Sequence, residues 1–269
     1  MSDSNNPYQQ PTAALVENHP DMAFGPVNDA RRTSIGRGAS WISEAWPIFT
    51  RNWGLWIAGI IVLVLISMSL GFIPVLGSLV SPIINPMLFA GVYVVAHKMD
   101  GGQPVEFGDF FAGFQNRPGV LAGFGAINLL LGVLFLVVIG LIGFGLFGSE
   151  LTGIASAAES GAAPDVSPDS AVKLALFVLV ALAIMIPYMA LVWFALPLLV
   201  LDDSMKIGKA LGLSLKGCLR NILPMFLFSL LGLVLMMLGM IPFFLGLLVV
   251  MPLLAISMYV SVKDIYAPD

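Results

Sequence analysis

Few side chains in this 269-residue sequence are of a type that performs chemistry, and their spacing decides what each can do. Asp202 and Asp203 are the best pair of adjacent carboxylates, yet the further acidic ligands of a metal-diphosphate site are missing around them. Solvation of a loop is the simpler reading of that pair. The only two histidines are His19, near the amino terminus, and His97, beside Lys98 at the end of an apolar stretch. Neither stands where a buried serine nucleophile would need a base within hydrogen-bond reach. Cys218 is the single cysteine, so no internal disulfide can form, and a small buried thiol on a helix face is its plain reading. No metal or other cofactor is implied.

The remaining polar atoms of interest are amides, Asn85 and Asn128, each inside a long apolar stretch. An amide in hydrocarbon without a partner costs several kcal/mol, so each must meet another helix or line a wet cavity. Asn85 lies between Pro82 and Pro86, whose rings free carbonyls that can serve as its partners. Pro187-Tyr188 and Pro197 repeat the theme further along the chain. A central cleft would be lined by Asn85, Pro86, Asn128, Pro187, Tyr188 and Pro252.

What must position these groups is a set of membrane helices. The sequence is 58% hydrophobic and 10% charged, and all 12 basic and 16 acidic residues lie outside four blocks, 53–97, 118–149, 174–201 and 221–262. Charge in hydrocarbon is costly, and about 20 apolar residues make one crossing. The first and last blocks are long enough for two crossings each and the middle blocks for one. Gly71, Pro74 and Gly77 divide the first block, and Gly239, Pro242 and Gly246 the last, as tight apolar hairpins. Spans are expected near 53–73, 75–97, 119–147, 174–201, 222–240 and 242–262.

Basic residues near span ends favour the cytoplasm. Six spans with both termini inside collect Arg31, Arg32, Arg37, Arg51, Lys98, Arg117, Lys206, Lys209, Lys216, Arg220 and Lys263 on the inner side, leaving Lys173 outside with an acidic loop from residue 150 to 170. Five or seven spans would scramble this polarity. A net charge of −4 argues against a nucleic-acid partner. Residues 1–34, rich in Asn, Gln, Pro and Ser, read as a disordered cytoplasmic tail, and residues 35–266 as the membrane domain.

That domain contains an internal repeat. A shift of about 168 places lays Arg51-Asn52 on Arg220-Asn221, Ile73-Pro74 on Ile241-Pro242, and Pro86 and Tyr93 on Pro252 and Tyr259. Both copies start on the cytoplasmic side, so the repeat is parallel. Residues 35–100 and 204–266 form the two units, and 101–203 carries an interfacial helix with spans three and four.

Each unit opens with an amphipathic surface helix, judged at about 100° per residue. From 205 to 220, Ile207, Leu211, Leu215 and Cys218 share one face, with Lys209, Lys216 and Arg220 opposite as candidate contacts to lipid headgroups. Trp41, Ala45, Ile48 and Phe49 cluster similarly in the first unit, where Pro47 is expected to kink or restart the helix. Phe107, Phe110, Phe111 and Phe114 form a third apolar face suited to the headgroup boundary, with Glu106 and Asp109 facing away. In span three, Gly125, Gly132 and Gly143 align as a packing seam.

Several of these features carry a resemblance: Ala45-Trp46-x2-Phe49-x2-Asn52-x3-Trp56, Ile73-Pro74-x2-Gly77, Pro86-x3-Ala90-Gly91, Glu106-Phe107-x-Asp109-Phe110-Phe111-x-Gly113-Phe114 and the closing Tyr259-x3-Lys263-Asp264-Ile265. Together, over residues 35–266, the chain resembles an uncharacterised family of bacterial polytopic inner-membrane proteins, usually described as hypothetical transmembrane proteins. More distantly it is similar to the membrane domain that precedes the catalytic part of some glycerophosphodiester phosphodiesterases. The resemblance implies location and fold, and supplies no catalytic residues.

The expectation is an all-α integral membrane protein of the bacterial inner membrane, non-catalytic and acting as a structural, assembly or lipid-interacting module. Membrane lipid is its expected partner, while a membrane-protein partner or a homo-oligomer is left open. A transporter or channel for a small uncharged or lipid-like substrate, passing along spans two, four and six, is the alternative. An intramembrane enzyme ranks third.

Overall fold

Backbone N–H and C=O groups in hydrocarbon can satisfy one another only by coiling, and the charge-free stretches of this chain do so. A computed structural model describes residues 27–73, 76–160 and 169–267. The helices are α1 Arg37–Arg51, α2 Trp53–Gly71, α3 Leu76–Asp100, α4 Pro118–Ser160, α5 Ser170–Val192, α6 Ala195–Leu201, α7 Ile207–Arg220, α8 Ile222–Met240 and α9 Leu247–Tyr266. A 3₁₀ helix, Phe107–Phe114, joins α3 to α4. Six segments are long and apolar enough to cross a membrane: α2, α3, α4, α5 with α6, α8 and α9. The protein is an all-α polytopic membrane protein.

The element order of the first unit, α1, α2, α3, returns as α7, α8, α9. Each surface helix stops at an asparagine, Asn52 or Asn221, and the following span starts at the next residue. The hairpins differ. The last span begins at Leu247 and not near 242, because Phe243 and Phe244 hold φ values of 51° and 66°, which no right-handed helix accommodates. Gly246 packs on Gly239 so closely that a Cβ would lie 2.6 Å from the Gly239 Cα. In the first hairpin a Cβ on Gly77 would lie 2.1 Å from the Leu70 carbonyl oxygen. Pro74 lies outside the described residues.

Pro47 does not restart α1, which continues through it, and Pro82, Pro86, Pro187 and Pro252 also sit inside continuing helices. The interruption of the fourth span falls at Trp193 and Phe194, between α5 and α6. There the Ser214 hydroxyl of α7 inserts into the helical ladder, donating to the Ala190 carbonyl at 2.8 Å and accepting from the Phe194 N–H at 2.9 Å. A regular turn would have joined those two backbone groups directly. Ser214 is therefore fully buried, and the buried face of α7 is Ala210, Ser214, Gly217 and Cys218. The expected face was Ile207, Leu211, Leu215 and Cys218; the first three are half-buried on its flank.

Two further boundaries move. The fourth helix runs to Ser160, so the first half of the expected outer loop is helical; residues 161–168 of that loop lie outside the description. The expected tail is packed from Val27 onward, and His19 lies outside the described residues.

Burial is uneven along the membrane normal. Trp41, Trp56, Phe110, Phe194, Tyr259 and Tyr266 are fully buried near the charged ends of their helices. The apolar windows of α4 and of α5–α6 bury 0% of their residues and so face lipid. The aromatic face of the 3₁₀ helix is split as well. Phe110 is 0% exposed, edge-on to Trp56 and against Gly59, whereas Phe107 and Phe114 remain exposed. Phe110 thus anchors this helix into the bundle, where Gly59 and Gly91 leave room for it, while Phe107, in line with it at the three-residue repeat, stays at the exposed start of the helix.

Candidate functional site

At the charged end of the bundle, α1 presents Arg37, Trp41 and Glu44 on one stripe toward the end of α9. Arg37 forms a bidentate pair with Glu44 at 2.6 and 3.1 Å and donates through Nε to Asp264 at 2.7 Å. The indole N–H of Trp41 donates to the same Asp264 oxygen at 2.8 Å. Glu44 and then Asp264 hold the Arg37 guanidinium more firmly charged than usual, against the opposing effect of its burial. Beside this network Lys263 reaches Asp100 at 2.5 Å, and the Tyr259 hydroxyl donates to Asp100 at 2.9 Å with His97 Nδ1 3.2 Å from that hydroxyl. Around these groups lies a cleft of about 470 Å³. Its cations and carboxylates are equal in number and mostly paired, which suits a mechanical joint between α1 and α9.

Residues 27–34 form an extended strap over the second unit. The Asn28 and Arg31 N–H groups donate to the Tyr266 and Ile265 carbonyls at 3.0 Å each, and the Val27 N–H to Asp202 at 3.3 Å. Asn221 locks the strap in place. Its Oδ1 accepts from the Thr33 N–H and hydroxyl at 2.8 and 3.0 Å, and its Nδ2 donates to the Arg31 and Gly217 carbonyls. Lys216 pairs with Asp29 at 2.5 Å, and Arg220 donates to the Ala30 carbonyl. The Lys216 hydrogen bond, despite some desolvation, holds the Asp29 carboxyl below its ordinary range. Two of the three cations expected to meet headgroups are therefore engaged by the strap. Lys209 stays exposed, as do Arg32 and Lys206.

Asp202 is the other anchor and is only 3% exposed. Burial pushes its carboxyl up, but hydrogen bonds from the Ser204 hydroxyl, the Val27 N–H and the Ser204 N–H outweigh that and leave it below its ordinary value. The carboxylate expected to solvate a loop instead closes one and holds the strap. Arg117, at φ 53°, crosses to the same corner and donates to the Leu199, Asp202 and Met205 carbonyls at 3.2, 2.9 and 2.6 Å. It thus caps the end of α6. Cys218 donates its thiol hydrogen to the Ala190 carbonyl at 3.4 Å, and burial pushes its pKa up to about 12. Among the described residues no group of three His, Cys, Asp or Glu side chains is placed to hold a metal ion.

Within the spans, two of the expected cleft positions meet. The Tyr188 hydroxyl of α5 donates to Asn128 Oδ1 of α4 at 2.7 Å, and Phe135 stacks on the Tyr188 ring. Gly132 approaches the same hydroxyl, Gly143 approaches Phe177, and a Cβ on Gly125 would lie 2.4 Å from the Pro82 carbonyl oxygen. The glycine seam is thus divided between α3 and α5. Asn85 Oδ1 is buried and has no hydrogen-bond partner among the described residues, and the same holds for Ser81 Oγ, one turn earlier on α3, and Ser67 Oγ on α2. The carbonyl freed by Pro86, that of Pro82, packs against Gly125 and is not taken by Asn85. Pro187 is exposed on α5, while Pro86 and Pro252 are buried on α3 and α9.

Three cavities are described: the charged cleft, a smaller one beside Arg51 and Asn52, and an apolar groove between α8 and α9. None is lined by Asn85, Pro86, Asn128, Pro187, Tyr188 or Pro252, so these six do not share one of these cavities. Sequence reasoning missed the strap, the Arg117 cap and the Ser214 insertion. The repeated Arg-Asn junction was the one available signal, since Asn221 had to find partners once its helix ended. No family model, curated protein or solved structure matches the chain.

Proposed function

We propose that the protein is a non-catalytic, lipid-interacting module of the bacterial inner membrane, structural or assembly-related in role, with both termini on the cytoplasmic side. The observation that carries this reading is the layer formed at one end of the spans by α1, the 3₁₀ helix and α7. Their apolar faces turn inward, and exposed Arg32, Lys206 and Lys209 remain at that end. Lys173, by contrast, pairs with Glu150 at the far end. A cationic layer on this side fits the cytoplasmic leaflet, where each basic group gains about 1 kcal/mol from anionic lipid. The resemblance to bacterial polytopic inner-membrane proteins agrees with that placement.

Purified full-length protein in nanodiscs of equal phosphatidylglycerol and phosphatidylcholine tests it. Mass spectrometry of retained lipid is expected to find the anionic lipid enriched, and Arg32→Gln, Lys206→Gln and Lys209→Gln together are expected to remove the enrichment. No enrichment in the unmodified protein contradicts the reading.

A second reading, transport of a small uncharged or lipid-like substrate, is favoured by Ser67, Ser81 and Asn85. Leu70 opposite Gly77 sets an antiparallel register that brings Ser67 and Ser81 to one depth, with Asn85 a turn deeper. Unpartnered oxygens in hydrocarbon are costly and suit a passing polar group. Flux into liposomes that is lost on Asn85→Leu, with folding intact, would select this reading.

A further inference from the structure

The groove between α8 and α9 has a volume of about 450 Å³ and is closed on one side by Tyr93 of α3 and Trp193 at the α5–α6 break. That volume is in the usual range for a bound small molecule, about 300–1,000 Å³. Ser229 and Leu233 on its rim are exposed, so the groove opens sideways to lipid.

Its polar groups are confined to one end. Tyr93, Trp193, Ser229 and Met258 stand six to nine residues in from Asp100, Asp202, Asn221 and Asp264, a depth of about 9–13 Å at ~1.5 Å per residue. Gly232, Leu233 and Leu254 continue the groove deeper and are wholly apolar. Glycine at 232 keeps it open, since a Cβ there would already touch Leu254 at 3.4 Å.

Neither the Tyr93 hydroxyl, the Trp193 indole N–H nor the Ser229 hydroxyl has a hydrogen-bond partner among the described residues. The indole can only donate, and each hydroxyl has a proton to give. Donors in hydrocarbon call for an acceptor, and the one that a glycerolipid can bring to them is the ester carbonyl, drawn by the groove below its usual level at the edge of the hydrocarbon core, with an acyl chain running inward from it. We infer that the groove holds one acyl chain of a diacylglycerolipid, the lipid's ester carbonyls accepting from Tyr93, Trp193 and Ser229 and the chain's methylenes lying over Gly232 and Leu254.

This inference rests on the lipid-interacting reading and specifies its site, but it concerns the ester and chain, not the headgroup. Full-length protein is delipidated in detergent, offered dioleoyl phosphatidylglycerol or its diether counterpart, and examined by native mass spectrometry. The diester is expected to be retained about tenfold better than the diether, as for one or two lost hydrogen bonds. Tyr93→Phe with Ser229→Ala is expected to reduce that preference severalfold, and Gly232→Leu to abolish retention of both lipids. The paired conservative variants keep the test decisive even where Gly232→Leu fails to fold. Equal retention of diester and diether by the unmodified protein overturns the inference, as does a dimer of the chain whose contact occupies the groove. Headgroup selectivity in nanodiscs depends on Arg32, Lys206 and Lys209 and is read separately, so failure of one claim is distinguishable from failure of the other.

Discussion

The two units place the same pair of residues at the same junction and use them in opposite ways. In the first, Asn52 is exposed and accepts one hydrogen bond, from the Leu55 N–H, as an ordinary helix cap, while Arg51 donates to the Met99 carbonyl of its own unit. In the second, Asn221 is fully buried, makes four hydrogen bonds, and shares with Arg220 the task of holding residues 27–34. Their covers differ correspondingly. The first unit is sealed by the 3₁₀ helix, with Phe110 lodged against Gly59 and Gly91, and the second by the strap and α1, with Trp41 against Phe228 and Asp264. A repeated scaffold has thus been closed by two unrelated devices, and the differences lie in what crosses over the charged end.

The largest expected effect is on the seal of the first unit. A methyl group on Gly91 would meet the Phe110 carbonyl oxygen at 1.9 Å, and backbone cannot give way as a side-chain end can. Gly91→Ala is expected to cost about 3 kcal/mol or more, at or beyond the usual range for overpacking. Gly232→Ala in the second unit, with only a Leu254 methyl at 3.4 Å, should leave thermal unfolding in detergent nearly unchanged. Equal losses would show that the 3₁₀ helix is not held by that close approach.

Next in size is the contrast between the asparagines. Removing four hydrogen bonds with Asn221→Ala is expected to cost about 2–6 kcal/mol at ~0.5–1.5 each. Asn52→Ala removes one cap, about 1 kcal/mol. Thermal unfolding of the two variants side by side reads the difference, and indistinguishable midpoints would erase the distinction between the units.

A smaller effect follows from acid. Asp202 and Asp29 both hold their carboxyls below the ordinary value of 3.8. A group whose folded pKa is depressed contributes stability that is present above the unfolded value and is lost as pH falls through the folded one. The strap should therefore stay docked at pH 5–7 and loosen only below about pH 4. A spin label on Asn28→Cys should gain mobility in that acid range; constant mobility down to pH 2.5 would deny these carboxylates their role. Smallest of all, Lys216→Gln alone should shift the unfolding midpoint little, because its pair with Asp29 is exposed.

The spans and hairpin positions were legible in the sequence because each depends on a run of like residues or on a helix-stopping residue. Absence of charge marked the six spans, and the angular clustering of Trp41, Ala45, Ile48 and Phe49 matched the buried face of α1. The polar architecture was legible only in part. Asn128 was marked as an amide in hydrocarbon needing a partner on another helix, and Tyr188, named only as a cleft position, is that partner. Residues 27–34 escaped notice because an extended strap has no periodicity, and what fixes it is backbone hydrogen bonds to residues more than 170 places away. Ser214 drew no notice in the sequence, since nothing local announces that α5 will break opposite it.

The claim on which the rest depends is that the charged end, with the strap and surface helices, and the far end of α4 lie on opposite sides of a membrane. Thr152→Cys and Ser204→Cys, introduced separately and treated with a membrane-impermeant maleimide in intact spheroplasts, test it most directly, since Cys218 is buried and its thiol protonated. Labelling at 152 from outside, and at 204 only after permeabilisation, is the expected result. Labelling of both from the same side would contradict the six-crossing arrangement.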